Sequence, residues 1–165
     1  MKMIDNKQKL NIFLKIAEKL NEIGSTPILY GSLGLYKILN SEKPTNDIDI
    51  LIEDKYIISE WVKLIQLMLI LGYELKDEDE HEFIKDGQSV AFAKQSDLLE
   101  MNNISPDSLL VSTNNNVKYR ELSVNQYLTC YKTVYKDEYR RKKNNNADED
   151  KIKLIEDFLN NEKIS

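Results

Sequence analysis

The segment from Pro27 to Glu53 decides the fold. It begins Pro27-Ile28-Leu29-Tyr30-Gly31-Ser32 and ends Asn46-Asp47-Ile48-Asp49-Ile50-Leu51-Ile52-Glu53. The apolar run before Gly31 predicts a short buried strand, and residues 33–39 predict a helix directly after it. In the last part, acidic and apolar residues alternate, so residues 47–53 predict a second strand. Asp47 and Asp49 share one face of that strand, and the segment is a strand–helix–loop–strand unit.

The two ends of this segment suit a metal-bound phosphate. A helix N-terminus presents free backbone N–H groups and the positive end of a dipole, and both attract an anion. Gly31 lets the backbone approach closely, and Ser32 adds a hydroxyl. Asp47 and Asp49 lie about 7 Å apart along their strand, and a divalent cation would neutralise their like charges. Because Mg²⁺ is held by one or two carboxylates plus substrate phosphates, the pattern predicts a metal–nucleoside triphosphate site.

This arrangement resembles the DNA polymerase β-like nucleotidyltransferase superfamily. The branch it looks like holds small bacterial proteins related to antibiotic nucleotidyltransferases and abortive-infection toxins. The pattern of that superfamily, hydrophobic-Gly-Ser and then Asp-hydrophobic-Asp, matches Tyr30-Gly31-Ser32 and Asp47-Ile48-Asp49. The resemblance implies that Asp47 and Asp49 bind Mg²⁺ or Mn²⁺ and that Gly31 and Ser32 hold the triphosphate. It also implies an α/β (α+β) fold with a short mixed sheet flanked by helices and a helical C-terminal portion.

A second motif concerns the third carboxylate that such enzymes usually carry on a later strand. Asp86-Gly87 predicts a two-residue turn between strands at 81–85 and 88–93. The corresponding position holds Ala91 instead of Asp. In the predicted register Glu82 lies opposite Ala91 on the same face, so it would serve as third ligand or general base. A one-residue slip would move Glu82 to the other face.

The rest of the chain predicts further helices at 6–23, 57–71, 96–101 and 148–159, with a last strand at 118–122. A capping box of Ser123 and Gln126 starts another helix at Val124. Residues 102–117 show no regular pattern. We therefore expect a nucleotidyltransferase-like α/β core over residues 1–104 and a mostly helical C-terminal portion over residues 105–165.

Composition excludes several classes of protein. The 165 residues carry 23 Lys and Arg against 28 Asp and Glu, a net charge of −5 that argues against a wholly electrostatic nucleic-acid binder, so no DNA is expected. One cysteine and one histidine exclude an intramolecular disulfide, a Cys-based zinc site and a His-pair metal site. No stretch is long and apolar enough to predict a signal peptide or a membrane span, and we expect a cytoplasmic protein.

The predicted reaction transfers a nucleoside monophosphate from a triphosphate to a hydroxyl and releases pyrophosphate. The acceptor, whether a small molecule such as an antibiotic, a tRNA or a protein, stays open. One alternative is a catalytically degenerate fold that binds nucleotide, RNA or protein, which Ala91 favours. Another is a toxin of a toxin–antitoxin pair acting on tRNA, which the basic run Arg140-Arg141-Lys142-Lys143 favours. His81 is a weaker candidate donor to a phosphate or an acceptor, and Asp137 and Lys151 receive no assigned role.

Overall fold

The computed structural model describes residues 4–136 and 147–164, with side chains up to residue 162. A mixed β-sheet has helices on both faces, which confirms the predicted α/β (α+β) class. The described helices are α1 (Asn6–Glu22), α2 (Gly31–Ile38), α3 (Lys55–Ile58), α4 (Trp61–Ile70), α5 (Ser96–Asn102), α6 (Val124–Tyr135) and α7 (Ala147–Ile164). The described strands are β1 (Ile28–Tyr30), β2 (Ile48–Ile52), β3 (Glu74–Asp77), β4 (Glu82–Lys85), β5 (Gln88–Lys94), β6 (Leu110–Asn114) and β7 (Val117–Glu121).

The seven strands are ordered β3-β4-β5-β2-β1-β7-β6 in one sheet. Strand β2 is antiparallel to β1 and parallel to β5, and β1 is parallel to β7. Antiparallel pairs β3–β4–β5 and β6–β7 complete the two sides. The two strands of the deciding segment, β1 and β2, therefore lie in the middle of the sheet.

Two hydrophobic clusters cover the two faces of the sheet. On one face Ile48, Ile50 and Ile52 of β2 pack with residues of α1 and α4, among them Phe13 and Met68. On the other face β1 and β2 pack with residues of α2, α5, α6 and α7, and the buried residues of this cluster include Ile28, Leu51, Leu35, Leu98, Tyr127 and Ile155. Since Leu51 shares its strand face with Asp47 and Asp49, the C-terminal helices lie on the face that carries both aspartates.

Several local predictions are confirmed. Helix α6 begins at Val124, and Ser123 and Gln126 form the reciprocal hydrogen bonds of the capping box. The β4–β5 hairpin has the predicted register, with Glu82 opposite Ala91 and Lys85 opposite Gln88. Asp86 and Gly87 both have positive φ, as the two central residues of a type I′ turn require.

The predicted helix over 57–71 is two helices, because the chain breaks at Ser59 and Glu60. The Ser59 hydroxyl donates to the carbonyl of Lys55, and such local bonds compete with the helical pattern. Helix α4 then has ten residues. None of the described helices is long and apolar enough to cross a membrane.

Two strands were not predicted, and both lie at the edges of the sheet. All four residues of β3 are exposed, and β6 has four exposed residues of five. A strand without a buried face shows no alternating pattern, so only its pairing partner identifies it. Strands β6 and β7 lie in the same sheet as the strands of residues 1–104. The division into an α/β core and a C-terminal portion after residue 104 stays a prediction.

Candidate functional site

Two of the predicted site residues, Asp49 and Glu82, lie in one row across four strands. Tyr30 pairs with Asp49, Asp49 pairs with Ala91, and Ala91 pairs with Glu82. Directly opposed residues share a face of the sheet. The row therefore runs from the end of β1 through β2 and β5 to β4, on one side of the sheet.

Gly31 lies against the carboxyl group of Asp49. Its φ of +67° is left-handed, and a Cβ atom built on it would approach the Asp49 carboxylate more closely than real Cβ atoms do. Any side chain here would be strained by the backbone and would overlap Asp49. The glycine of the first motif and the second aspartate of the other motif are thus a packed pair, although 18 positions separate them in the sequence.

Helix α2 begins at Gly31 directly after β1, with no side chain capping its N-terminus. Its first N–H groups have no helical acceptors, and the positive end of the helix dipole lies next to them. The first turn holds no acidic residue that would compete with a bound anion. This end of α2 thus has the properties expected of a phosphate-binding turn.

A cleft of about 400 Å³ opens over the row. Its floor includes Gly31, Ser32, Asp49 and Ala91. Its remaining walls come from the β3–β4 turn and from α6 and α7, and the residues are Asp79, Glu80, His81, Cys130, Tyr131, Val134 and Lys151. The sheet face, the β1–α2 turn and the C-terminal helices α6 and α7 together enclose one cleft.

Asp47 lies just before β2 and is exposed, while Asp49 within β2 is partly buried. The partial burial of its carboxyl group raises the pKa of Asp47, and the nearby charge of Glu82 raises it further. The cations of Lys76 and Lys9 lower the pKa of Asp47 and partly oppose this rise. Asp47 and Glu82 are therefore close enough to repel each other, and two lysines compensate the negative charge.

Glu82 has the predicted register, but its carboxylate is paired with Lys76. Lys76 Nζ lies 3.2 Å from Glu82 Oε1 and 3.4 Å from the Ser89 hydroxyl. Ala91 and His81 line the cleft, and Glu82 is not among the lining residues. The role of Glu82 as base or third ligand stays a prediction that requires release from Lys76.

The donor set fits a cation that completes its coordination with substrate. Within residues 4–136 and 147–162 no three His, Cys, Asp or Glu side chains converge as a metal-binding group. Asp47 and Asp49 instead offer two carboxylates on one strand face, and Asp49 lies beside the N-terminus of α2. Mg²⁺ accepts such a set, because it is commonly bound by one or two carboxylates together with phosphate oxygens and waters.

Two tyrosines and a cysteine, Tyr30, Tyr131 and Cys130, form one wall of the cleft. Burial raises the pKa of Tyr30, and the adjacent Cys130 thiol, to which it is hydrogen-bonded, adds to the rise. Burial also raises the pKa of Tyr131, whereas a hydrogen bond with the Ser32 side chain opposes that rise. Both phenols stay neutral at physiological pH. Tyr131 and Cys130 lie three and four residues before Val134, so helical spacing alone places both beside Val134 on one side of α6.

Two further residues of the cleft have defined supports. His81 has a φ of +52°, and its ring packs edge-on against Trp61 with centroids 4.9 Å apart. Lys151 Nζ lies 5.2 Å from the centroid of the Tyr131 ring. Asp137 and the basic run at Arg140-Arg141-Lys142-Lys143 lie outside the described residues.

The chain is 34% identical to "Uncharacterized protein YnaI" of Bacillus subtilis (strain 168) over 152 residues. The matched region covers 92% of this chain and 97% of that protein. The chain therefore belongs to the same family as YnaI. No protein-family model matches the chain.

Proposed function

We propose that the protein is a Mg²⁺-dependent nucleotidyltransferase of the DNA polymerase β-like superfamily. It would transfer a nucleoside monophosphate from a nucleoside triphosphate to a hydroxyl of an acceptor. The packing of Gly31 against the Asp49 carboxylate carries the proposal. That contact brings the N-terminus of α2 and the carboxylate of Asp49 together inside one cleft, and this chemistry needs both a phosphate site and a carboxylate. Asp47 lies on the same strand face as Asp49 but is not among the residues that line the cleft. Because nucleoside triphosphates are intracellular substrates, we also propose a cytoplasmic location.

Each residue has a distinct part in this proposal. The N–H groups at Gly31 and Ser32 would bind the β- and γ-phosphates. Asp47 and Asp49 would hold the cation, Mg²⁺ or Mn²⁺, which when bound polarises the α-phosphate and stabilises the leaving pyrophosphate. The acceptor oxygen forms a bond to the α-phosphorus, and the bond from that phosphorus to pyrophosphate breaks. Glu82, once released from Lys76, would take the hydroxyl proton.

The first test measures thermal unfolding with each of the four ribonucleoside triphosphates, with and without Mg²⁺. A ligand at 100 times its dissociation constant stabilises a protein by about 2.7 kcal/mol. For a chain of this size, that corresponds to a rise in Tm of about 5–10 °C. We expect such a rise with at least one triphosphate, only with Mg²⁺, and its loss in Asp49→Asn.

Asp157→Asn is the matched control, because it makes the same change at an exposed position of α7. It should retain the full shift. A shift that survives in Asp49→Asn, or that needs no divalent cation, would contradict the assignment.

A second candidate function is a binding module with a degenerate active site. Ala91, directly beside Asp49, favours it, because no carboxylate stands at the position where a third one is expected. A binder would show the Mg²⁺-dependent thermal shift but would release no pyrophosphate with any acceptor tried. The toxin alternative, which needs a tRNA acceptor, is tested by adding total tRNA to the same pyrophosphate assay.

A further inference from the structure

Lys9 of α1 is a buried lysine, with 4% of its surface exposed. Its ammonium donates to the carbonyl and the hydroxyl of Thr45 and to the carbonyl of Asn46. All three of its donor positions thus have acceptors, and all the acceptors belong to the two residues that precede Asp47. In the described part of the chain, no carboxylate forms a direct ion pair with it.

A buried ammonium without a contacting carboxylate is costly, and an apolar side chain of similar length would fill the space at lower cost. Burial accordingly lowers the pKa of Lys9, and the charge of Asp47 opposes that effect. The position nevertheless keeps a lysine whose hydrogen bonds all go to one short segment. Because all of these hydrogen bonds go to Thr45 and Asn46, we infer that Lys9 stabilises the segment before Asp47 rather than helix α1.

Thr45 and Asn46 belong to the connection between α2 and β2, and residues 41–47 of this connection have no regular secondary structure. Side chains from other elements must therefore fix its position. Other side chains hold the same segment from two sides. Asn6 Nδ2 donates to the Lys43 carbonyl at 2.7 Å, and the Thr45 hydroxyl donates to Asn6 Oδ1 at 2.9 Å. From the β4–β5 hairpin, Gln88 Nε2 donates to the Asn46 carbonyl at 2.8 Å.

We propose that Lys9 is a positioning residue that fixes residues 45–47 and thereby places the Asp47 carboxylate on the same face as Asp49. The inference rests on the proposed function, because it treats the two carboxylates as a cation-binding pair. Lys9 itself does not touch substrate. It acts through the backbone of Thr45 and Asn46, as outer residues orient the ligands of metal sites.

The test compares Lys9→Met with wild type in two independent measurements. Methionine retains the length and packing of the side chain and removes the three donors. The first measurement is amide hydrogen exchange in the free protein. We expect faster exchange within residues 43–49 and unchanged exchange in β5 and β7. The second is the Mg²⁺ concentration that gives half of the thermal stabilisation with each ribonucleoside triphosphate. We expect it to rise at least about tenfold, as typically follows the loss of an outer residue of a metal site.

Lys15→Met is the matched control, since Lys15 is an exposed lysine of the same helix. It makes the same change of charge and should leave both measurements at the wild-type value. Thr45→Val is a second variant for the case in which Lys9→Met does not fold. It removes the acceptor hydroxyl, together with the bond that this hydroxyl donates to Asn6, and retains both carbonyls, so we expect a smaller change in the same direction.

The two possible failures are distinguishable. If wild type shows no Mg²⁺-dependent stabilisation with any triphosphate, the proposed function fails, and exchange in Lys9→Met still decides whether Lys9 anchors residues 45–47. If wild type binds as expected but a folded Lys9→Met has unchanged exchange or an unchanged Mg²⁺ requirement, the positioning role of Lys9 is overturned. If both measurements keep their wild-type values in Thr45→Val but change in Lys9→Met, the anchoring by Lys9 runs through the two carbonyls alone.

Discussion

The two sides of the cleft differ in how closely their residues are fitted to one another. On the β1–α2 side, Gly31 is packed against Asp49 with no room for another atom. On the β4–β5 side, Ala91 leaves space beside the same aspartate, and Glu82 is paired with Lys76. Under the proposed function, the comparison teaches that the requirements for binding a nucleotide and for turning it over would lie on different strands. Either side can then change without the other.

The largest expected effect is at Gly31. In Gly31→Ala the left-handed backbone costs about 1–2 kcal/mol. Overlap with the Asp49 carboxyl adds about 1–3 kcal/mol, as in other overpacked sites. We expect the free energy of unfolding in urea to fall by the sum and the Mg²⁺-dependent thermal shift to be lost.

Gly24→Ala is the control for Gly31→Ala, because Gly24 has a φ of +85° and nothing within 4 Å of a Cβ atom built on it. It bears the cost of the left-handed backbone without the overlap and should keep nucleotide binding. Equal losses of stability in the two variants would show that overlap with the Asp49 carboxyl group adds no destabilisation to the cost of the left-handed backbone.

The fold was largely readable from local signals, because most elements in the middle of the sheet have a buried face. The Asp86-Gly87 turn set the register that places Glu82 opposite Ala91, and this register is confirmed. The contact between Gly31 and Asp49 was not readable, because it depends on how β1 and β2 pair in space. The ion pair of Glu82 with Lys76 was missed for the same reason, since it needs the unpredicted strand β3.

The second prediction separates the two sides of the cleft through Glu82. Ion pairs at the surface contribute about 0–1 kcal/mol, so Glu82→Gln should lower the free energy of unfolding by no more than about 1 kcal/mol. It should leave the Mg²⁺-dependent thermal shift intact, because Asp47, Asp49 and the β1–α2 turn are unchanged. Pyrophosphate release should fall by about 10²–10⁴-fold, the usual contribution of a general base.

Lys76→Met is the matched control for Glu82→Gln. It breaks the same ion pair but keeps the carboxylate, which should then be free to act, and turnover should be equal to wild type or higher. A parallel loss of turnover in both variants would mean that the ion pair supports the hairpin and that Glu82 is not the base.

The smallest expected effect concerns the stability of the free protein at Asp47, which lies between the two sides. The pKa of Asp47 is raised above its ordinary value of 3.8, first by burial and then by the charge of Glu82. A carboxyl group with a raised pKa in the folded state destabilises that state at pH values above its unfolded pKa. Below pH 3.8 the group is protonated in both states and has no effect. Asp47→Asn should therefore be more stable than wild type at pH 7, by up to about 0.5 kcal/mol, which is typical of exposed substitutions.

The difference in stability between Asp47→Asn and wild type should disappear as the pH falls below 3.8, and urea unfolding at several pH values measures it. The variant should at the same time lose the Mg²⁺-dependent thermal shift. Together these results would mean that the Asp47 carboxylate lowers the stability of the free protein and is needed to bind the cation. Such a conflict between stability and activity is common at functional sites. A variant that is less stable than wild type at pH 7 would instead give Asp47 a structural role through Lys9 and Lys76.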